Sequence, residues 1–194
     1  MREQHIVVPK RELLPQLIRA REPNIIEVGV RRGKYARGYL PHLPPKSNIY
    51  LLDKWTTARG KRCAHYAEVV RHFGKNRYAH IIIDESPAAA AQFPDGFFDW
   101  IYIDACHVYD AVLADMRAFW PKLRMDGIFS GHDYFHYRNF GVVEAVADFF
   151  GSVPVRTTDE PPPPPDKPGR NPPSWWVRKT PSVVKSLSRE RNYG

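Results

Sequence analysis

The stretch Phe97–Tyr134, FFDWIYIDACHVYDAVLADMRAFWPKLRMDGIFSGHDY, constrains the fold more than any other part of the chain. Trp100, Ile101, Tyr102 and Ile103 form a short apolar and aromatic run that stops at Asp104. Val108, Val112, Met116, Phe119 and Trp120 then recur at helical spacing. Gly127 marks a turn, and Ile128 and Phe129 open a second run that ends in Gly131, His132 and Asp133. The pattern reads strand, polar turn, helix, strand, polar end. Parallel neighbours lie about 4.8 Å apart, so Asp104, His107, His132 and Asp133 gather at one sheet edge. In open α/β sheets ligands bind outside the carboxyl ends of the strands. Successive residues of a regular strand face opposite sides, so His132 and Asp133 share a site only where the strand has ended.

The same alternation extends in both directions. Leu13, Leu14, Leu17 and Ile18 predict a helix over Arg11–Arg21, with Pro15 in its first turn. Before it, HIVV (5–8) is a short strand or an arm. Asn24–Val28 reads as a strand between Pro23 and Gly29. EVGVRRGKYARGYL follows, with Gly29 and Gly33 four apart and a helix after them. Glycine lets a backbone turn sharply and approach a ligand, and a helix N-terminus offers free N–H groups. Ile49–Leu52 is a second strand ending at Asp53, 24 residues beyond Gly29. An acid at that distance accepts hydrogen bonds from a ribose. A helix between Gly60 and Phe73, a strand His80–Ile83 ending at Asp84, Glu85 and Ser86, and an alanine-rich helix Pro87–Phe93 complete the first half. Phe140–Phe150 is a further amphipathic helix. Strands alternating with helices predict an α/β, mainly parallel, doubly wound Rossmann-like sheet.

The ending breaks that rhythm. Ser152–Arg156 and Ser174–Arg178 read as strands with no helix between them, hence a C-terminal antiparallel hairpin. The proline-rich loop 157–173 between them should be extended, as a peptide ligand, a substrate lid or a plain insertion. Residues 1–179 read as one domain, and 180–194 as a flexible basic tail too poor in apolar residues for a core of its own.

With 194 residues, 43% of them hydrophobic, the chain can bury a sizeable core. No apolar run approaches the roughly 20 residues of a membrane span, and the charged N-terminus does not read as a secretory signal. Two cysteines, Cys63 and Cys106, make no disulfide framework, so a reducing, cytoplasmic location is expected. Charge is uneven: 12 Lys/Arg against Asp53 and Glu68 over residues 31–77, but 4 against 11 acids over 78–155. The basic region suits phosphate, a nucleotide sugar, nucleic acid or a membrane surface, or is an ordinary solvated helix face.

These motifs resemble the class I S-adenosylmethionine-dependent methyltransferases. EVGVRRG is similar to their first motif, an acid followed by spaced glycines, with Arg31 where many members carry the middle glycine. The resemblance implies cofactor contacts from Glu27, Gly29, Gly33, Asp53 (ribose), Ser86 in the loop Asp84–Ser86 (adenine) and Asp104. FDWIYIDACHVYDAVLADM and GIFSGHDY resemble one branch, the small-molecule O-methyltransferases that include metal-dependent sugar enzymes of macrolide biosynthesis. This branch implies a divalent cation, magnesium by expectation, on Asp104 and Asp133, and His107 as general base. His132 stands where the branch has an acid, and imidazole can ligate a transition ion. The expected activity is methyl transfer to a hydroxyl of a sugar or other small metabolite. A nucleic-acid methyltransferase and a non-catalytic interaction module are the alternatives. Tyr134, Phe135, His136 and Tyr137 either line the acceptor pocket or pack together, and Tyr109 anchors the turn after Asp104.

Overall fold

The computed structural model describes residues 6–56, 61–161, 163 and 172–190. At its centre β1 (Asn24–Val28) pairs in parallel with β2 (Asn48–Asp53) on one side and β4 (Phe98–Ile103) on the other. Strand β3 (Ala79–Ile83) extends the sheet beyond β2, and β5 (Leu123–Gly131) extends it beyond β4, both parallel. Strand β7 (Trp175–Arg178) runs antiparallel to β5 and carries the two-residue β6 (Arg156–Thr157) at the edge. The order β3-β2-β1-β4-β5-β7-β6 is doubly wound, as the alternation predicts. The winding direction reverses between β1 and β4, which opens a crevice at their carboxyl ends.

Helices cover both faces: α1 (Lys34–Tyr39) and α2 (Ala64–Phe73) on one, α3 (Ser86–Ala90), α4 (Tyr109–Phe119) and α5 (Val142–Phe150) on the other. Because strand side chains alternate, β4 feeds both layers. Trp100 and Tyr102 join the layer of Tyr35, Tyr39 and Phe73, while Ile101 and Ile103 join that of Met116, Phe129 and Phe150. All six residues of β4 are buried, as expected for a central parallel strand.

Four expectations change. The helix predicted over Arg11–Arg21 is a 3₁₀ helix, Arg11–Leu17, with Pro15 inside it; proline has no N–H to continue an α-helical ladder. The helix expected from Gly60 begins at Ala64 within the described residues, and Gly60 lies outside them. The strand expected at Ser152–Arg156 shrinks to Arg156–Thr157, since Pro154 cannot donate to a ladder. The segment expected to be a mobile tail instead carries α6 (Pro181–Glu190). Its Leu187 is buried, and Val183 and Val184 pack on the core beside it. The tail has no core of its own but borrows the domain's. Of the proline-rich loop, residues 162 and 164–171 lie outside the described residues, as do 1–5 and 191–194. Its base is closed by Thr158, which exchanges backbone and side-chain hydrogen bonds with Ser174 at 2.9 Å. Among the described residues no helix is long and apolar enough to cross a membrane.

Candidate active site

The carboxyl ends of β1, β2 and β4 meet through Gly29. Its N–H donates to Leu52 O at 2.8 Å, and Asp104 N–H donates to Val28 O at 2.7 Å. Gly29 has φ 94°, and a Cβ there would stand 2.1 Å from Asp104 O and 2.6 Å from Ala105 Cα. Two loop backbones therefore pack directly against each other where a side chain would be, at the edge of a cavity of about 790 Å³. Eight of the expected residues line that cavity: Glu27, Gly29, Asp53, Ser86, Asp104, His107, His132 and Asp133. Gly33 does not line it. It begins α1 with φ 66° and faces Phe73, so it shapes the turn without reaching the cavity.

Arg31 takes the left-handed conformation, φ 52°, in the place where glycine is usual. Hydrogen bonds hold it there. Its N–H donates to Asp53 Oδ2 at 2.7 Å, and Trp55 Nε1 donates to its carbonyl at 2.7 Å. Asp53 Oδ1 in turn accepts from Trp55 N at 2.8 Å. Each oxygen of Asp53 thus accepts one backbone hydrogen bond and keeps a lone pair for a ligand hydroxyl. Trp55, a residue without a motif signature, fixes the acid that the spacing singled out.

Glu27 shares the face of β1 that carries Ile25, and it is buried. Burial raises its carboxyl pKa well above the usual range, the Asp104 charge adds to that, and its Oε2 has no hydrogen-bond partner. At the β3 edge, Ser86 Oγ donates to Asp115 Oδ1 at 2.5 Å, so its hydroxyl hydrogen points inward to α4. Burial pushes the Asp115 carboxyl from an ordinary 3.8 up to about 6, against the Ser86 hydrogen bond. The folded state therefore holds this proton more tightly than the unfolded chain. The associated stabilisation is full below about pH 4 and lost as pH rises through about 6, some 3 kcal/mol in order of magnitude. Asp115→Asn keeps an acceptor for Ser86 and removes the ionisation. Urea midpoints across pH 4–7.5 should fall for the wild type relative to the variant, and parallel curves would contradict this account.

Four side chains close the floor. Strand β5 ends at Gly131, and Asp133 takes φ 54°, which turns both His132 and Asp133 toward the crevice. His107 Nε2 stands 2.9 Å from Asp133 Oδ2 and 3.7 Å from Asp104 Oδ1. His132 Nδ1 stands 3.2 Å from Asp133 Oδ2 and 3.5 Å from Asp104 Oδ1. Imidazoles and carboxylates alternate around a small square. Burial opposes the charged imidazoles, but the two carboxylates prevail, raising His107 to about 10 and His132 to about 9. Burial likewise opposes ionised Asp104 and Asp133, and the histidine hydrogen bonds hold both below the usual carboxylate range. Donor atoms of Asp104, His107 and Asp133 all lie within 4.8 Å of one another, close enough to share an ion. His107 thus joins the cluster that the sequence reading assigned to Asp104, His132 and Asp133.

The aromatic run after Asp133 does something else. Phe135, Tyr137 and Phe140 pack on each other, His136 pairs with Glu144 at 3.2 Å, and none of Tyr134–Tyr137 lines the cavity. Tyr109 ties α4 to α5 through Asp148 at 2.7 Å. Among the cavity residues that no motif marks is Arg11, from the 3₁₀ helix.

A family model described as a methyltransferase domain matches residues 26–134. Among solved structures, a Corynebacterium glutamicum protein superposes with TM-score 0.61 at 13% identity, covering 87% of this chain and 79% of its own. A Bacillus cereus O-methyltransferase in complex with S-adenosylhomocysteine gives 0.60 at 15%, covering 87% and 78%. Spermidine synthase from Thermotoga maritima gives 0.55 at 17%, covering 94% of this chain and 61% of its own. At such identities the likeness is one of fold. No curated protein shows significant sequence similarity to the chain.

Proposed function

The chain belongs to the methyltransferase-domain family, and we propose that it transfers a methyl group from S-adenosylmethionine to a hydroxyl of a sugar or other small metabolite. The observation that carries the hydroxyl reading is the cluster of Asp104, His107 and Asp133 on the floor of the cavity beside Gly29. A sulfonium supplies an electrophilic methyl group, and an alcohol needs a base or a Lewis acid to attack it near pH 7.

The residues fit both groups. For the cofactor there is the cavity of about 790 Å³ at the carboxyl ends of β1, β2 and β4, and Asp53 with spare lone pairs toward a ribose. For a divalent cation there are two ionised carboxylates with imidazole nitrogen 2.9–3.7 Å away. Carboxylates suit magnesium, and the adjacent imidazoles extend the range to manganese and other transition ions. Held by Asp104 and Asp133, such an ion would bind the acceptor hydroxyl and lower its pKa. Among the chain's own groups, Asp53 orients the ribose. His107 receives the hydroxyl proton, which requires its neutral form; the charge on Asp104 and Asp133 sets how readily it loses its own proton.

This gives a thermodynamic test. With His107 near 10 and His132 near 9, both rings are protonated at pH 7. Cation binding to the carboxylates should expel one or two protons, so apparent affinity rises with pH toward 9. Calorimetry of manganese and magnesium in two buffers of different ionisation enthalpy reads the protons directly. Heats independent of buffer would show that neither ring loses a proton on binding, and no binding would remove the cation from the reading. Binding of S-adenosylhomocysteine by the same method tests the cofactor, and its absence in folded protein sinks the central proposal.

Arg31 and Lys34 also line the cavity, and an acidic acceptor would meet positive charge there. This favours a phosphate- or carboxylate-bearing small acceptor, with nucleic acid as the second reading. Part of the charge nearby is already paired, Arg32 with Glu68 at 3.0 Å and Lys54 with Glu85 at 3.6 Å. A salt-sensitive mobility shift with RNA would turn the reading toward nucleic acid.

A further inference from the structure

We infer that Arg11 is the receptor for the carboxylate at the methionine end of the cofactor. The inference rests on S-adenosylmethionine being that cofactor, and it concerns a residue that precedes the matched segment 26–134.

The side chain of Arg11 is 11% exposed and lines the cavity beside Glu27, Gly29 and Asp104. Its guanidinium lies over the Tyr35 ring, 4.7 Å from the centroid. The acids around it stand off: Nη1 is 3.8 Å from Asp104 Oδ2, and Nε is 3.6 Å from Glu12 Oε1. Both distances exceed a hydrogen bond, and Nε is buried with no hydrogen-bond partner. Asp104 already faces two imidazoles. A buried planar fork of donors beside an open cavity, with a donor left over, matches the geometry of a carboxylate.

Its backbone is fixed from both sides. Arg11 N donates to Glu160 Oε2 at 3.2 Å, and Tyr35 Oη donates to Arg11 O at 2.9 Å. Tyr35 thus holds both the main chain and the guanidinium, which limits the ordering a ligand must impose. The sheet order gives the ligand a direction. Asp53 ends β2 and Ser86 follows β3, so ribose and adenine fall on that side and the amino-acid end falls over β1 and β4. There Arg11 meets carboxylate, and the ionised Asp104 gives the opposite charge for the ammonium group. A zwitterion fits a wall carrying both signs.

The test crosses ligand with variant. Wild-type protein and Arg11→Gln are titrated calorimetrically with S-adenosylhomocysteine and with 5′-deoxy-5′-methylthioadenosine, which lacks the amino-acid end. Arg11→Gln should weaken S-adenosylhomocysteine by roughly 10–100-fold, as for loss of a charge-assisted pair, and leave methylthioadenosine unchanged. Arg11→Lys should recover part of the loss. An equal loss for both ligands makes Arg11 a purely structural residue, and no loss for either removes it from the cofactor site. Unchanged cofactor affinity with a raised acceptor KM would assign the arginine to the acceptor instead. Should Arg11→Gln fail to fold, the wild type decides alone: decarboxylated S-adenosylmethionine must bind at least 10-fold more weakly than S-adenosylmethionine, and equal binding overturns the inference. Wild-type protein that binds none of these ligands refutes the cofactor reading itself, which separates that failure from a failure of Arg11.

Discussion

His107→Ala should lower turnover by about 10²–10⁴-fold, the usual worth of a positioned general base, while S-adenosylhomocysteine binds as before. The ring sits at the cavity floor, with Nε2 2.9 Å from Asp133 Oδ2 and its centroid 4.5 Å from that of the tilted Phe140 ring. Its backbone carbonyl accepts from Gly141 N at 2.8 Å, so the loop stays anchored when the ring is removed. The same variant separates two roles that the geometry brings close. If His107 is the base alone, manganese affinity holds and only turnover falls. If it is also a ligand, manganese affinity falls with it, by about 10-fold or more. Full turnover in the variant would remove His107 from the chemistry. Below its pKa the imidazole is charged and cannot accept a proton, so the wild-type rate should climb with pH, and the variant's rate should lose that limb.

Gly29→Ala should be the most damaging single methyl group in the chain. A left-handed backbone costs an L-residue roughly 1–3 kcal/mol when forced, and φ 94° lies beyond even the usual left-handed basin. The added Cβ would also stand 2.1 Å from Asp104 O and 2.4 Å from its carbonyl carbon. These are backbone atoms and cannot swing aside. Either the β1 loop or the β4 loop must move, and Asp104 moves with it. Thermal unfolding should therefore fall by several degrees or more, with loss of S-adenosylhomocysteine binding in whatever protein remains folded. Gly33→Ala is the control: its new Cβ meets the side chains of Phe73 at 3.0 Å and Val69 at 3.5 Å, and Gly33 does not line the cavity. Equal stability and equal cofactor binding in both variants would contradict a structural need for this close loop packing.

Much of the site was legible because strand ends are a local property. Apolar runs stopping at Val28, Leu52 and Ile103 place Gly29, Asp53 and Asp104 at one edge of any doubly wound sheet, whatever the packing details. His107 follows three residues later, within the same turn. His132 and Asp133 were harder, since residues adjacent in sequence face opposite ways along a strand. Their convergence needs the left-handed backbone of Asp133, which no periodicity announces. The aromatic residues after Asp133 carried a misleading signal: hydrophobicity marks burial without telling a pocket wall from a local cluster.

The sequence by itself determined the alternation of strands and helices, the antiparallel end and the residues at the strand tips, because period and turn chemistry act over a few residues. Tertiary structure alone decided what those tips could do. It set Trp55 against Arg31 and Asp53, placed Arg11 against Tyr35 and Asp104, and gave the C-terminal segment a helix by lending it a core for Leu187. Each of these depends on contacts between segments distant in the chain. Their energy comes from burial and from hydrogen bonds completed only when the sheet is assembled, and such contacts leave no local pattern to read.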